Sequence, residues 1–119
     1  MPHLVIEYSN NLPNLAPSAL LRSANAALMT TGQFQEADIK SRAIAVDSFA
    51  IGTNNAPRAF VAARLSILSG RSPETKQLLA QALLAALDAA IPGAGVDLQT
   101  SVEILDIDRD SYAKSHRGG

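Results

Sequence analysis

The sequence predicts an α+β fold in which a four-stranded sheet carries two helices on one face, built from two successive β-α-β units. Three observations support this. Two segments of helical apolar spacing, 18–30 and 73–90, are each flanked by short stretches rich in β-branched residues. The pattern breaks in the middle at Gly52, Asn54, Asn55 and Pro57, leaving similar halves of about 1–52 and 57–108 with a polar tail over 109–119. The length, 119 residues, is that of a single domain, so 1–119 should share one core.

The first strand is expected from Pro2 to Tyr8, followed by a turn at Asn10, Asn11, Pro13 and Pro17. From Ser18 to about Thr30, Leu20, Leu21, Ala24, Ala27 and Leu28 recur at helical spacing, and Gly32 supplies a C-terminal stop. Ile39 to Phe49 reads as the second strand and Phe60 to Leu68 as the third, with Val61, Ala63, Leu65 and Ile67 on one face. Gly70-Arg71-Ser72-Pro73 then breaks the chain. Ser72 is a natural N-cap and Pro73 fits the first helical position. The second helix should run to about Ala90 on a stripe of Leu79, Leu83, Ala86 and Ala90, ended by Pro92, Gly93 and Gly95. Ser101 to Asp108 is the fourth strand, and the tail from Arg109 to Gly119 is expected to be loose. Right-handed crossovers place both helices on the same face of the sheet. The other face, with Phe60 and Leu68, then lacks a cover and predicts self-association.

Composition removes several function classes. Ten Lys and Arg against eleven Asp and Glu give a net charge of −1, which offers no footprint for a nucleic-acid backbone. The absence of Cys excludes disulfides, thiolate nucleophiles and Cys-ligated metals. His3 and His116, the two imidazoles, lie at opposite ends of the chain, so neither a Ser-His-acid triad nor a His-based metal site is expected. Neither GxGxxG nor GxxxxGK[ST] occurs. The longest apolar run, Leu78 to Ile91, is interrupted by Gln81 and Asp88 and falls short of the ~20 residues of a membrane span. With no signal-peptide pattern at Met1-Pro2-His3, a cytoplasmic protein without cofactor, metal, nucleic acid or membrane partner is expected.

Three local features can carry chemistry. Initiator Met is ordinarily removed before a small residue, which would leave the secondary amine of Pro2 at the chain terminus. An α-amine titrates near 8, and burial lowers that value toward neutrality, where it serves as a base. Arg71 stands between a strand end and a helix start, where free N–H groups and the helix dipole already favour an anion. Its fork suits a carboxylate or an enolate oxygen. Lys40 and Arg42, two apart on the second strand, share a face.

Together these features resemble the tautomerase superfamily, which uses an amino-terminal proline on a duplicated β-α-β scaffold, and within it the 5-carboxymethyl-2-hydroxymuconate isomerases. The resemblance rests on MPHLVIEYSNN, KSRAIAVDSF, AFVAARLSILSGRSPETKQLL and VEILDID, and LSILSGRSPETKQLL also resembles the start of short 4-oxalocrotonate tautomerase subunits. It implies a homotrimer in which Pro2 is the general base and Arg71 the cation that holds a carboxylate or enolate. The family's second cation falls at Lys40 or Arg42, where R-S-R is replaced by Lys40-Ser41-Arg42. The implied reaction moves a proton in a conjugated 2-hydroxy or 2-oxo acid, a step of homoprotocatechuate breakdown, with no cofactor. Other readings are a phenylpyruvate-type tautomerase, a decarboxylase, or a non-catalytic trimeric binding module.

Overall fold

The computed structural model describes residues 1–93 and 95–119. The chain runs β1 (His3–Ser9), α1 (Pro17–Thr30), β2 (Lys40–Val46), β3 (Arg58–Leu68), α2 (Pro73–Ala90) and β4 (Asp97–Ile107), with 3-10 turns at Glu36–Asp38 and Arg109–Ser111. The sheet order is β2-β1-β3-β4. Strands β1 and β2 are parallel, as are β3 and β4, while the central pair β1 and β3 is antiparallel. Each outer pair is a β-α-β unit, as the sequence predicts.

Three strands differ in length from expectation, and each difference follows from its ladder partner: β3 begins at Arg58 rather than Phe60, where Arg58 and Ala59 pair with Asp97 and Leu98. Strand β2 stops at Val46 rather than Phe49 because its partner β1 ends there, at the Ser9–Val46 pair. Strand β4 begins at Asp97 rather than Ser101 because β3 offers eleven consecutive partners, from Arg58 to Leu68. Pairing, which a single strand's sequence does not encode, sets these ends.

The core lies between the sheet and the two helices. Leu4, Ile6, Val61, Ala63, Leu65 and Ile67 of the central strands are buried there. Leu20, Ala24 and Leu28 of α1 meet them at i, i+4 spacing, and Leu79, Leu83 and Leu87 of α2 do the same. Leu87 takes the place expected for Ala86, which is half-buried along with Ala90. A strict i, i+4 row brings the larger side chain over the sheet. Fully burying each such leucine contributes roughly 1.5–3 kcal/mol. Helix α1 ends as predicted, with Gly32 at φ +72° just beyond the Thr31 cap. Helix α2 also starts as predicted: the Ser72 side chain accepts from the Thr75 N–H at 3.1 Å, with Pro73 in the first turn.

The opposite sheet face is uncovered over most of its width. His3, Val5 and Glu7 share it with Lys40, Arg42 and Ile44 of β2 and with Arg64 and Ser66 of β3. Ile44 is 47% exposed and Leu105 39%. Phe60 is partly covered after all, because Phe49 from the 47–57 loop meets it edge to face at 5.8 Å.

The strand directions gather four chain segments at one end of the sheet. His3 starts β1 beside Lys40 at the start of β2, and β3 and β4 both finish there, at Leu68 and Ile107. The tail, expected to be loose, is held as far as Lys114. It forms the Arg109–Ser111 turn, capped by the Asp108 carboxylate, and then crosses this end until Lys114 pairs with Asp38 at 3.2 Å.

Candidate functional site

At this end of the sheet Pro2 is fully buried, and its carbonyl accepts from the Lys40 N–H at 3.2 Å. That bond extends the β1–β2 ladder to the second residue of the chain. Met1 lies outside it, in the wall of a cavity of about 280 Å³ that Phe34, Asp38, Leu68, Arg71 and Arg109 also line. Removal of Met1 would uncover the Pro2 nitrogen at this wall.

Arg71 reaches the cavity from the short loop between β3 and α2, the position the sequence predicts. Its Nε donates to Gln33 Oε1 at 3.1 Å and its Nη2 to the Gln33 carbonyl at 3.2 Å. Its guanidinium carbon also stands 4.9 Å from the centre of the Phe34 ring. These contacts fix the fork and leave Nη1 without a hydrogen-bonding partner among the described residues. An arginine held in this way has little freedom to lose when it grips an anion.

The structure separates the two second-strand candidates. Lys40 lies beside the chain terminus, its Nζ donating to the Asp38 carbonyl at 2.7 Å. Arg42 is exposed further along the open sheet face, with Nη1 3.5 Å from His3 Nδ1. Pro2, Lys40 and Arg71 are thus brought to one end, and Arg42 is not.

The electrostatics follow from this crowding of cations. Burial first, then the Lys40 ammonium and then Lys114, hold the Met1 amine below the ordinary α-amine value, against a smaller opposing pull from Asp38. Burial followed by Arg42 and Lys40 likewise lowers His3, so its imidazole favours the neutral form. The Asp38 carboxyl is lowered by the hydrogen bond and charge of Lys114. The arrangement favours anionic ligands and an uncharged terminal amine.

Sequence reasoning missed Phe34, Asp38, Arg109 and Lys114. Phe34 and Asp38 lie in the connection between α1 and β2, which carries no motif. Arg109 and Lys114 come from the tail, where two charges among polar residues give no signal of their own.

The sequence profile of the 5-carboxymethyl-2-hydroxymuconate isomerase family matches residues 2–116. Among solved structures, a 5-carboxymethyl-2-hydroxymuconate isomerase from Deinococcus radiodurans R1 is 32% identical, with a TM-score of 0.90 over 98% of this chain and 90% of that one. A 5-carboxymethyl-2-hydroxymuconate delta-isomerase, 21% identical, matches in fold with a TM-score of 0.81 over 99% of this chain and 89% of its own. A fused 4-OT that forms a symmetric trimer also shares the fold, at 22% identity and a TM-score of 0.70 over 95% of this chain and 91% of its own. No curated protein matches the chain in sequence. With the profile running from Pro2 almost to the C-terminus and a 32%-identical isomerase sharing the whole architecture, this chain belongs to the 5-carboxymethyl-2-hydroxymuconate isomerase family and is a tautomerase-type isomerase.

Proposed function

We propose that the chain moves a proton within an unsaturated 2-hydroxy or 2-oxo acid carrying two or three carboxylates, such as 5-carboxymethyl-2-hydroxymuconate, with Pro2 as general base. The observation that carries this reading is the placement of the chain terminus and the guanidinium of Arg71, held by Gln33 with no carboxylate partner among the described residues, on one cavity. Once Met1 is removed, the prolyl amine meets the conditions that depress an α-amine: burial and a neighbouring Lys40. A lowered pKa favours the free amine, which can take the substrate's proton and return it at another position. Negative charge develops on the dienolate between the two transfers. Arg71 is positioned to hold that charge or an adjacent carboxylate, and Lys40 is the second cation, because it and not Arg42 stands beside the amine. The reaction needs no cofactor, because proton and electron pair both remain within substrate and base.

The same reading assigns the open sheet face to a homotrimer. Ile44 and Leu105 leave apolar surface there that none of the described residues covers.

The test is isomerisation of 5-carboxymethyl-2-hydroxymuconate followed by ultraviolet absorbance, using protein whose intact mass shows a free Pro2. Pro2→Ala should lower kcat on the order of 10²–10⁴-fold, the usual worth of a positioned base. Arg71→Ala should lower kcat about 10²–10³-fold, as for loss of an oxyanion donor. Full activity in Pro2→Ala would overturn the assignment of the base.

A further inference from the structure

Arg109 is the cavity residue to which the isomerase reading gives no task. It begins the short turn after β4, and its Nε donates to the Ser69 carbonyl. A Cβ built on Gly70 would stand 3.6 Å from that Nε and 3.8 Å from Nη2, so the guanidinium rests over the bare backbone of the loop that carries Arg71. Both guanidiniums line the same cavity as Met1. Neither is ion-paired with a carboxylate among the described residues. The one carboxylate in the cavity wall, Asp38, is already engaged by Lys114. The neighbouring Asp108 directs its carboxylate to the Asp110 N–H at 3.1 Å. Two arginines facing one small space without counter-charges repel each other, and a ligand with one anionic group for each relieves that repulsion.

We propose that Arg109 binds the substrate's third carboxylate, the one on the carboxymethyl arm, and sets the preference for substrates that carry this arm. The proposal rests on the isomerase reading of the cavity. Arg109 is a specificity residue in this scheme: it touches the arm and leaves the proton transfer to Pro2. The bond to Ser69 and the contact with Gly70 hold the guanidinium in advance, so little ordering remains for the substrate to bring about.

The experiment compares two substrates that differ only in the arm, 5-carboxymethyl-2-hydroxymuconate and 2-hydroxymuconate, in wild type, Arg109→Met and Arg109→Lys. Methionine keeps an unbranched apolar chain over Gly70 and removes the charge. Arg109→Met should lower kcat/KM for the carboxymethylated substrate roughly 10–100-fold, mostly through KM, as expected for one lost charge-assisted hydrogen bond. For 2-hydroxymuconate the loss should stay within about threefold, and Arg109→Lys should recover part of the preference. Equal losses on both substrates, or none, would overturn the proposal; a merely structural strap produces the first of these. If wild type with free Pro2 turns over neither substrate, the isomerase reading fails, and calorimetry then decides on Arg109 alone. In that case wild type should still bind propane-1,2,3-tricarboxylate more tightly than butyrate, with the difference lost in Arg109→Met. An unchanged difference in the variant would refute carboxylate binding by Arg109.

Discussion

The charge state of the terminal amine is decided by its immediate neighbours. At the Met1 amine Lys40 is the largest charged contribution, second only to burial, and the same residue is the ladder neighbour of Pro2, whose amine it would face once Met1 is removed. Removing the positive charge therefore lets the pKa rise. In the proposed mechanism the unprotonated Pro2 amine is the active form, so kcat/KM falls as pH drops through its pKa. In Lys40→Met the acid limb of the kcat/KM–pH profile should move to higher pH than in wild type. A limb that stays in place would mean that burial alone sets the value. Pro2, Arg71 and the Lys40/Arg42 pair were all legible in the sequence, because each belongs to a local pattern: a terminus, a strand-to-helix junction, an alternating strand. The choice between Lys40 and Arg42 was not legible, because it depends on which of them stands beside the chain terminus.

Helices and strands owe their placement to short apolar rows. Leu79, Leu83 and Leu87 form one such row on α2, each fully buried against the sheet. Leu83 is the middle member, so the loss of its side chain cannot be relieved by fraying at a helix end. Leu83→Ala should destabilise the protein by about 2–5 kcal/mol, read from the urea unfolding midpoint. A much smaller change would show that α2 slides to fill the space. Element existence and type could be read from periodicity and caps, down to Ser72 and Pro73 at the start of α2. The ends of β2 and β4 could not, because a strand continues only as far as its neighbour does.

At the scale of the whole molecule, one face of the sheet is packed and the other bears Ile44 and Leu105 in the open. In the proposed trimer other copies bury this face, and the assembly should appear as three times the 12.5 kDa chain mass in light scattering at micromolar concentration. Ile44→Glu puts a charge on that face away from the cavity, and should shift the mass toward the monomer while circular dichroism stays unchanged. A wild-type monomer would remove the assembly from the proposal. The Arg64–Glu7 pair, 2.9 Å apart on the same face, supplies a polar centre that a partner must accommodate.

By itself the sequence determined the β-α-β-β-α-β order and the start of α2, and it singled out Pro2 and Arg71 as site candidates. All of these follow from contacts within a few positions along the chain: an i, i+4 row, a side-chain cap, a proline after the initiator methionine. The tertiary structure alone decided what surrounds them. Arg109 reaches the Ser69 carbonyl across 40 positions, and Lys114 reaches Asp38 across 76. Contacts at such separations depend on strand order and on where each strand ends. Parallel and antiparallel pairing brings the tail, the chain terminus and Arg71 to one end of the sheet, a convergence that no local pattern records.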